Sequence, residues 1–239
     1  MAGETIKSRA VCLRISPWSR TSHVVVWLTP SGRIATVVKG AARPKSAFLG
    51  QYDLNYTCEI VYYARERAEA RALKECSPLA LRDELRGDWR SLAAADRLRS
   101  LAEQLSPNGP DAGDWFDLLE SGLDGLAGEL RKDAQNRRNP LAFMLDFELK
   151  VLNLAGLAPE MTAEGGAFSL RGERKLGIPP GVARCLADPL AEKNLEILLD
   201  AARAIGVFYA FHLDQAVEGR RQVLGMVSQP KRKRKEKNG

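Results

Sequence analysis

The sequence predicts an α+β protein, a small N-terminal β-barrel of five strands and OB type followed by a mostly α-helical part. Three observations predict it. Short runs rich in Val, Ile and Tyr fill the first 78 residues, with turn residues between them. After Pro78 the apolar spacing changes to a helical period. Positive charge gathers at the two ends of the chain, so that residues 1–78 carry twelve Lys and Arg against six acids, 79–229 eighteen against twenty-three, and 230–239 six against one.

Residues 6–14 and 22–28 are the first two strand-like runs, and Thr29-Pro-Ser-Gly32 supplies a turn before the third, Ile34 to Val38. From Tyr52 to Tyr63 alternation places Tyr52, Leu54, Tyr56, Cys58, Ile60 and Tyr62 on one face and Asp53, Asn55, Thr57 and Glu59 on the other. A shorter run near Ala68 to Leu73 supplies the fifth strand. About five antiparallel strands in so short a stretch favour a closed barrel, which leaves no exposed edge.

In the helical part, Leu92, Leu98, Leu101 and Leu105 mark one helix, and Phe116, Leu119, Leu123, Leu126 and Leu130 a second; Ser106 to Asp114, with two prolines and two glycines, separates them. Asn139 and Pro140 open a third helix bearing Leu141, Met144, Leu145, Leu149 and Leu152, closed by Gly156 and Pro159. Residues 160–181, rich in glycine and with Pro179 and Pro180 near their end, read as an irregular insert with at most short structure. A last helix runs from about Glu192 to Gln215, with Leu195, Leu198, Leu199, Ala202, Ile205 and Tyr209 on one face and Phe208 and Phe211 pointing elsewhere, so this helix is expected to be buried on two sides. The chain thus divides into an OB-type domain at 1–78, a helical domain at 79–229, and a basic, disordered tail at 230–239.

Several functions are disfavoured. No charged-then-apolar leader opens the chain and no run approaches membrane-spanning length, so a cytoplasmic location is expected, with no membrane partner. Cys12, Cys58, Cys76 and Cys185 match neither a disulfide framework nor paired zinc ligands, so no metal or other cofactor is expected. Gly40 stands one residue too close to Lys45-Ser46 for a P-loop, and Pro44 has no N–H to give a phosphate. No nucleophile elbow, zinc-protease helix or carboxylate cluster is present. His23 lies in a valine-rich run and His212 on a buried helix, so the protein reads as a non-enzyme.

The chemistry lies in the cations. Among the first 48 residues Lys7, Arg9, Arg14, Arg20, Arg33, Lys39, Arg43 and Lys45 face one acid, Glu4. Lys39-Gly-Ala-Ala-Arg-Pro-Lys-Ser46 sets three of them on a loop of small residues, which lets backbone approach a phosphate while side chains neutralise it. The candidate DNA-binding residues are Arg14, Arg20, Arg33, Lys39, Arg43 and Lys45, joined by Lys231, Arg232, Lys233 and Arg234 of the tail. Trp18, Trp27, Tyr52 and Tyr56 are candidate stacking platforms, Trp18 foremost because Pro17 and Ser19 set it in a polar turn; barrel core is the competing reading for each.

Val11-Cys-Leu-Arg14, Leu28-Thr-Pro-Ser-Gly32, the Lys39–Ser46 loop and Phe147-Glu-Leu-Lys-Val-Leu-Asn-Leu-Ala-Gly-Leu-Ala-Pro159 together resemble the RecO family of bacterial recombination mediators, over roughly residues 5–160. The resemblance implies an OB-fold followed by a helical domain, binding of single- and double-stranded DNA, ATP-independent annealing of complementary strands, and partnership with RecR and with the acidic C-terminal tail of SSB at a cation-rimmed apolar groove. It also implies work on the nucleoid. Many members carry a four-cysteine zinc module where residues 160–185 hold only Cys185, so that module reads as degenerate and metal-free. Two further readings stay open: an OB-fold adaptor that assembles repair or replication factors with only incidental DNA contact, and an RNA-binding OB protein.

Overall fold

In the computed structural model, which describes residues 4–64, 70–109, 111–159, 166–169, 175–213 and 224–225, the N-terminal strands are β1 (Thr5–Ser19), β2 (Ser22–Thr29), β3 (Gly32–Val38), β4 (Thr57–Tyr63) and β5 (Arg71–Ala80). They form a closed barrel in the order β1-β2-β3-β5-β4, the OB arrangement anticipated from the turn spacing. One expectation needs correction. The barrel is not wholly antiparallel, because β3 and β5 pair in parallel through Thr36 with Arg71 and Val37 with Ala72. A ring with an odd number of strands cannot alternate direction all the way round, so closure itself demands one parallel seam.

The long first strand serves two neighbours. Its first half pairs with β4 and its second half with β2, and the register slips between Cys12 and Arg14, so Leu13 is an extra, bulged residue that lets the strand bend across the barrel. Ala10 and Cys12 enter the barrel core beside Val25, Trp27, Val38, Cys58, Ile60 and Tyr62. Trp27 is fully buried there and its Nε1 donates to Thr36 Oγ1 at 2.8 Å, which satisfies the one polar atom of the ring.

Two strand limits differ from the sequence reading. The run from Tyr52 becomes strand only at Thr57, because Asn55 takes φ +68° and a turn closes from Tyr56 N to Asp53 O at 3.1 Å. The left-handed conformation is one that Asn tolerates well, and it breaks an alternation that looked continuous. The fifth strand begins at Arg71 and runs to Ala80, two residues past the boundary placed at 78; residues 65–69 lie outside the described residues. Pro78 is accommodated because β5 meets β3 only at Arg71 and Ala72, leaving the proline with a strand on one side alone.

The helical part comprises α1 (Trp89–Leu105), α2 (Ala112–Leu130), α3 (Pro140–Leu154), a hairpin of β6 (Gly166–Ser169) and β7 (Lys175–Ile178), α4 (Pro180–Ala187) and α5 (Leu195–His212). Asn139 caps α3 as expected, its Oδ1 accepting from Leu141 N at 2.9 Å. Gly156, at φ +69°, ends it: Gly156 N donates to Asn153 O and Leu157 N to Leu152 O, the paired bonds of a Schellman stop. Helix α2 approaches its neighbours through glycines, since a Cβ on Gly122 would stand 2.9 Å from Leu98 of α1 and one on Gly125 2.9 Å from Phe143 of α3. Of the insert at 160–181, the described residues form only the short hairpin and the start of α4, and residues 160–165 and 170–174 lie outside the described residues. That helix has 8 residues, too few to display a period, and its Pro-Gly start reads as loop although Pro fits a first turn. Phe208 is buried on α5 along with Ile205 and Tyr209, as a helix covered on more than one side requires.

Val11, Leu13 and Leu28, which point out of the barrel, join the helical core with Leu98, Leu101, Phe116 and Leu119. Residues Ala10 to Leu13 are therefore buried on both faces of the strand. At the centre of the bundle Arg97 of α1 pairs with Glu148 of α3 at 2.9 Å, both buried, and Tyr209 of α5 donates to the Glu148 carbonyl at 2.9 Å.

Candidate nucleic-acid interface

The basic loop starts where β3 ends. Gly40, at φ +68°, turns the chain sideways, and two bonds tie it to the tip of the β1–β2 hairpin: Gly40 N to Ser22 Oγ at 3.2 Å and Ala42 N to Thr21 O at 3.1 Å. Successive turns follow, from Arg43 N to Gly40 O, Ser46 N to Arg43 O and Leu49 N to Ser46 O. The loop's backbone is thereby folded on itself and held against the barrel, and its cations project. Lys39, Arg43 and Lys45 are exposed, as is Arg20 in the neighbouring hairpin turn, and none of the four enters an ion pair among the described residues. Trp18, Ser19, Ser22, Val37, Lys39, Gly40 and Arg43 enclose an open concavity of about 470 Å³.

The other two barrel candidates sit elsewhere. Arg14 Nε donates to Glu103 Oε1 of α1 at 2.7 Å, and Arg33 bonds the Glu103 carbonyl and, through its backbone N–H, Asn108 Oδ1 at 3.2 Å. On β2 their pairing partners are Val26 and Leu28, whereas the loop meets β2 at its start, by His23 and Ser22. The six cations thus split into a solvent-facing group, Arg20, Lys39, Arg43 and Lys45, and a pair docked on α1. Lys231, Arg232, Lys233 and Arg234 lie outside the described residues.

The docked pair belongs to a wider seam that the sequence reading missed. Arg9 of β1 makes two 2.7 Å bonds to Glu120 of α2, Arg99 of α1 bonds the Leu13 carbonyl, and buried Arg82 donates to Asp124 Oδ1 at 2.7 Å and to Asn55 O at 2.7 Å. Part of the charge asymmetry between the two halves is consumed inside the molecule, as barrel arginines meeting helix carboxylates. Only sequence-distant pairing reveals this, and no local pattern marks it.

Among the aromatic candidates, Trp18 is 66% exposed while Trp27 is fully buried and Tyr56 nearly so. Tyr52 is half-buried, its hydroxyl 2.8 Å from His23 Nδ1, and burial pushes its phenol well above the usual range. Burial likewise raises the Cys12 thiol, and Cys58 is raised by its hydrogen bond with Cys76 and by burial. Among the described residues no His, Cys, Asp and Glu come together as a metal-binding group, and Cys185 is buried in the helical core, its thiol pushed up to about 11 by burial and then by Glu192.

A second concavity, of about 580 Å³, opens where α2, α3 and the α4–α5 connection meet. Leu126, Phe143 and Leu190 give it apolar wall, and Arg137, Arg138 and Lys193 stand at its sides. Glu129 is nearly buried at its base. Burial opposes its charge, but bonds from Lys132 Nζ at 2.6 Å and from Arg138 outweigh that and hold the carboxyl below its usual range.

Fold and surface define an α+β protein in which an OB-type barrel with a cationic end is fixed to a helical bundle. Residues 86–169 match the recombination protein O C-terminal family. The DNA repair protein RecO of Alkaliphilus metalliredigens is 28% identical over 160 residues, covering 66% of this chain and 61% of that protein. That of Rhodopirellula baltica is 30% identical over 158 residues, with 63% and 53% covered, and that of Chlorobium luteolum 26% identical over 157, with 65% and 57% covered. The resemblance read from the residues is borne out: the chain is similar to the RecO family, through its C-terminal model over residues 86–169 and through these relatives at 26–30% identity. It spans between about half and three fifths of the length of these relatives.

Proposed function

We propose that this chain is a recombination mediator in DNA repair: it binds single- and double-stranded DNA, anneals complementary strands without ATP, and cooperates with SSB and RecR to load the recombinase. The observation that carries this reading is the group of exposed cations Arg20, Lys39, Arg43 and Lys45 on one end of the barrel, without acidic partners among the described residues. Two strands repel through their phosphates, so a protein that screens both lowers the barrier while base pairing supplies the downhill step. No fuel, metal or catalytic group is required, which suits a non-enzymatic role in the cytoplasm, on the nucleoid.

In this reading the barrel, residues 1–78, holds DNA; the helical domain, 79–229, receives proteins; and the tail, 230–239, adds a second phosphate contact. The cleft beside Leu126, Phe143 and Arg138 fits the acidic tail of SSB, with apolar wall for its side chains and cations for its carboxylates. Arg14 and Arg33 serve the seam with α1 first and DNA at most secondarily.

The test is annealing of SSB-coated complementary strands without nucleotide, comparing the intact protein with a Lys39→Glu, Arg43→Glu double variant. The variant is expected to lose annealing and DNA binding for all sequences alike. Undiminished DNA binding by the variant would remove the loop from the site. A partner pulldown that survives in a protein with only incidental DNA binding would favour the adaptor, and preference for RNA over a matched DNA strand would favour the RNA-binding reading.

A further inference from the structure

We infer that Trp18 and the concavity beside it form a subsite for one nucleotide of a single strand, the base stacked on the indole and its phosphate held by Lys39 and Arg43, so that this corner discriminates single strands from duplex. The inference rests on the DNA-binding reading above and adds to it a residue that reads the base face.

The indole's placement is built into the strand. Between β1 and β2, Pro17 pairs with His23 and Ser19 with Ser22, so the register slips at Trp18, which is bulged out of the ladder with no partner opposite. A bulge re-aims a side chain. Here it leaves the largest apolar side chain 66% exposed, whereas Trp27, nine positions along, is fully buried. Exposing so much ring forgoes the burial that normally stabilises Trp. The adjoining surface is not apolar, as a protein-binding patch would require, but carries Lys39, Arg43, Ser19 and Ser22. The floor is set by Gly40, where a Cβ would come within 3.3 Å of Arg43 Cδ, so the arginine stem lies against the glycine and its charged end stays at the mouth. An aromatic face beside two cations on a short open cavity matches one base and its phosphate. In a duplex both faces of each base are covered by neighbours, so only the cations can engage it.

The experiment titrates the full-length chain with a mixed-sequence single strand, the same strand with abasic sites, and a blunt duplex, for the wild type and for Trp18→Ala, Trp18→Phe and Lys39→Gln/Arg43→Gln. Trp18→Ala is expected to weaken single-strand binding about 5- to 150-fold, the range for losing one base–aromatic stack, and to lower the single-strand to duplex affinity ratio without changing the salt slope. Trp18→Phe restores most of the ratio, and abasic strands bind the wild type as weakly as they bind Trp18→Ala. The Trp18 signal is separable from Trp89, the other exposed indole, because quenching by the strand disappears in Trp18→Phe. If Trp18→Ala leaves the ratio unchanged, or weakens strand and duplex equally, the stacking subsite is wrong. In either case a flattened salt slope in the Lys39→Gln/Arg43→Gln protein keeps the phosphate reading, and an unchanged slope there removes that reading instead.

Discussion

Neutralising Lys39 and Arg43 together should halve the salt dependence of DNA binding. Of the six barrel cations offered by the sequence, four are exposed and not ion-paired among the described residues, whereas Arg14 and Arg33 are committed to Glu103. With one phosphate neutralised per available cation, the slope of log affinity against log salt on a single strand is about −2.8, and between 50 and 200 mM salt affinity falls about 50-fold. Removing two cations leaves a slope of about −1.4 and a fall of about sevenfold over the same interval. Arg14→Gln is the control: it should leave the slope alone and cost only ~0.2–1 kcal/mol of stability, as an exposed ion pair does. Fluorescence anisotropy with a labelled single strand at four or more salt concentrations measures all three. The reasoning fails if the wild-type slope is shallower than about −1, or if Arg14→Gln flattens it as much as a loop substitution does.

The remaining predictions concern the scaffold and the cleft. Glu148→Ala leaves the buried Arg97 guanidinium without its carboxylate and should cost ~3–5 kcal/mol, whereas Arg97→Met with Glu148→Leu should recover much of that, as thermal melts of the three proteins would show. Asn139→Ala removes the oxygen that accepts from Leu141 N and should cost about 1 kcal/mol in chemical denaturation, with Asn139→Ser retaining most of it. Glu129 has its folded pKa below the ordinary 4.5, so its stabilising contribution is present above that value and is lost as pH falls through the folded pKa. Wild type should therefore lose more thermal stability than Glu129→Gln on acidification below about pH 4.5, and equal losses would dissociate that carboxylate from Lys132 and Arg138.

Much of the molecule was legible because local physics writes it locally. Alternation at Cys58, Ile60 and Tyr62 and the turn at Thr29–Gly32 announced barrel strands, and the leucine spacing of α1 and α2 announced helices. Asn139, Pro140 and Gly156 marked both ends of α3. Where this rule fails, an element was missed or its limits were misplaced, for identifiable reasons. Helix α4 is shorter than a readable period, Asn55 breaks an apparent strand with a single backbone angle, and β5 carries Lys74, Glu75, Ser77 and Pro78 in a run that shows no alternation because one end of it lacks a second neighbour.

The primary structure by itself determined the class of fold, the cationic start of the chain and the loop at Lys39–Ser46, because propensity, period and charge are properties of neighbours along the backbone. Only the folded arrangement decided which cations remain available. Arg9, Arg14, Arg33 and Arg82 find Glu120, Glu103 and Asp124 or a carbonyl across the seam between barrel and bundle, while Arg20, Lys39, Arg43 and Lys45 do not. Composition counts charges regardless of partner, and pairing between residues far apart in sequence depends on distances that exist once strands close and helices pack against them.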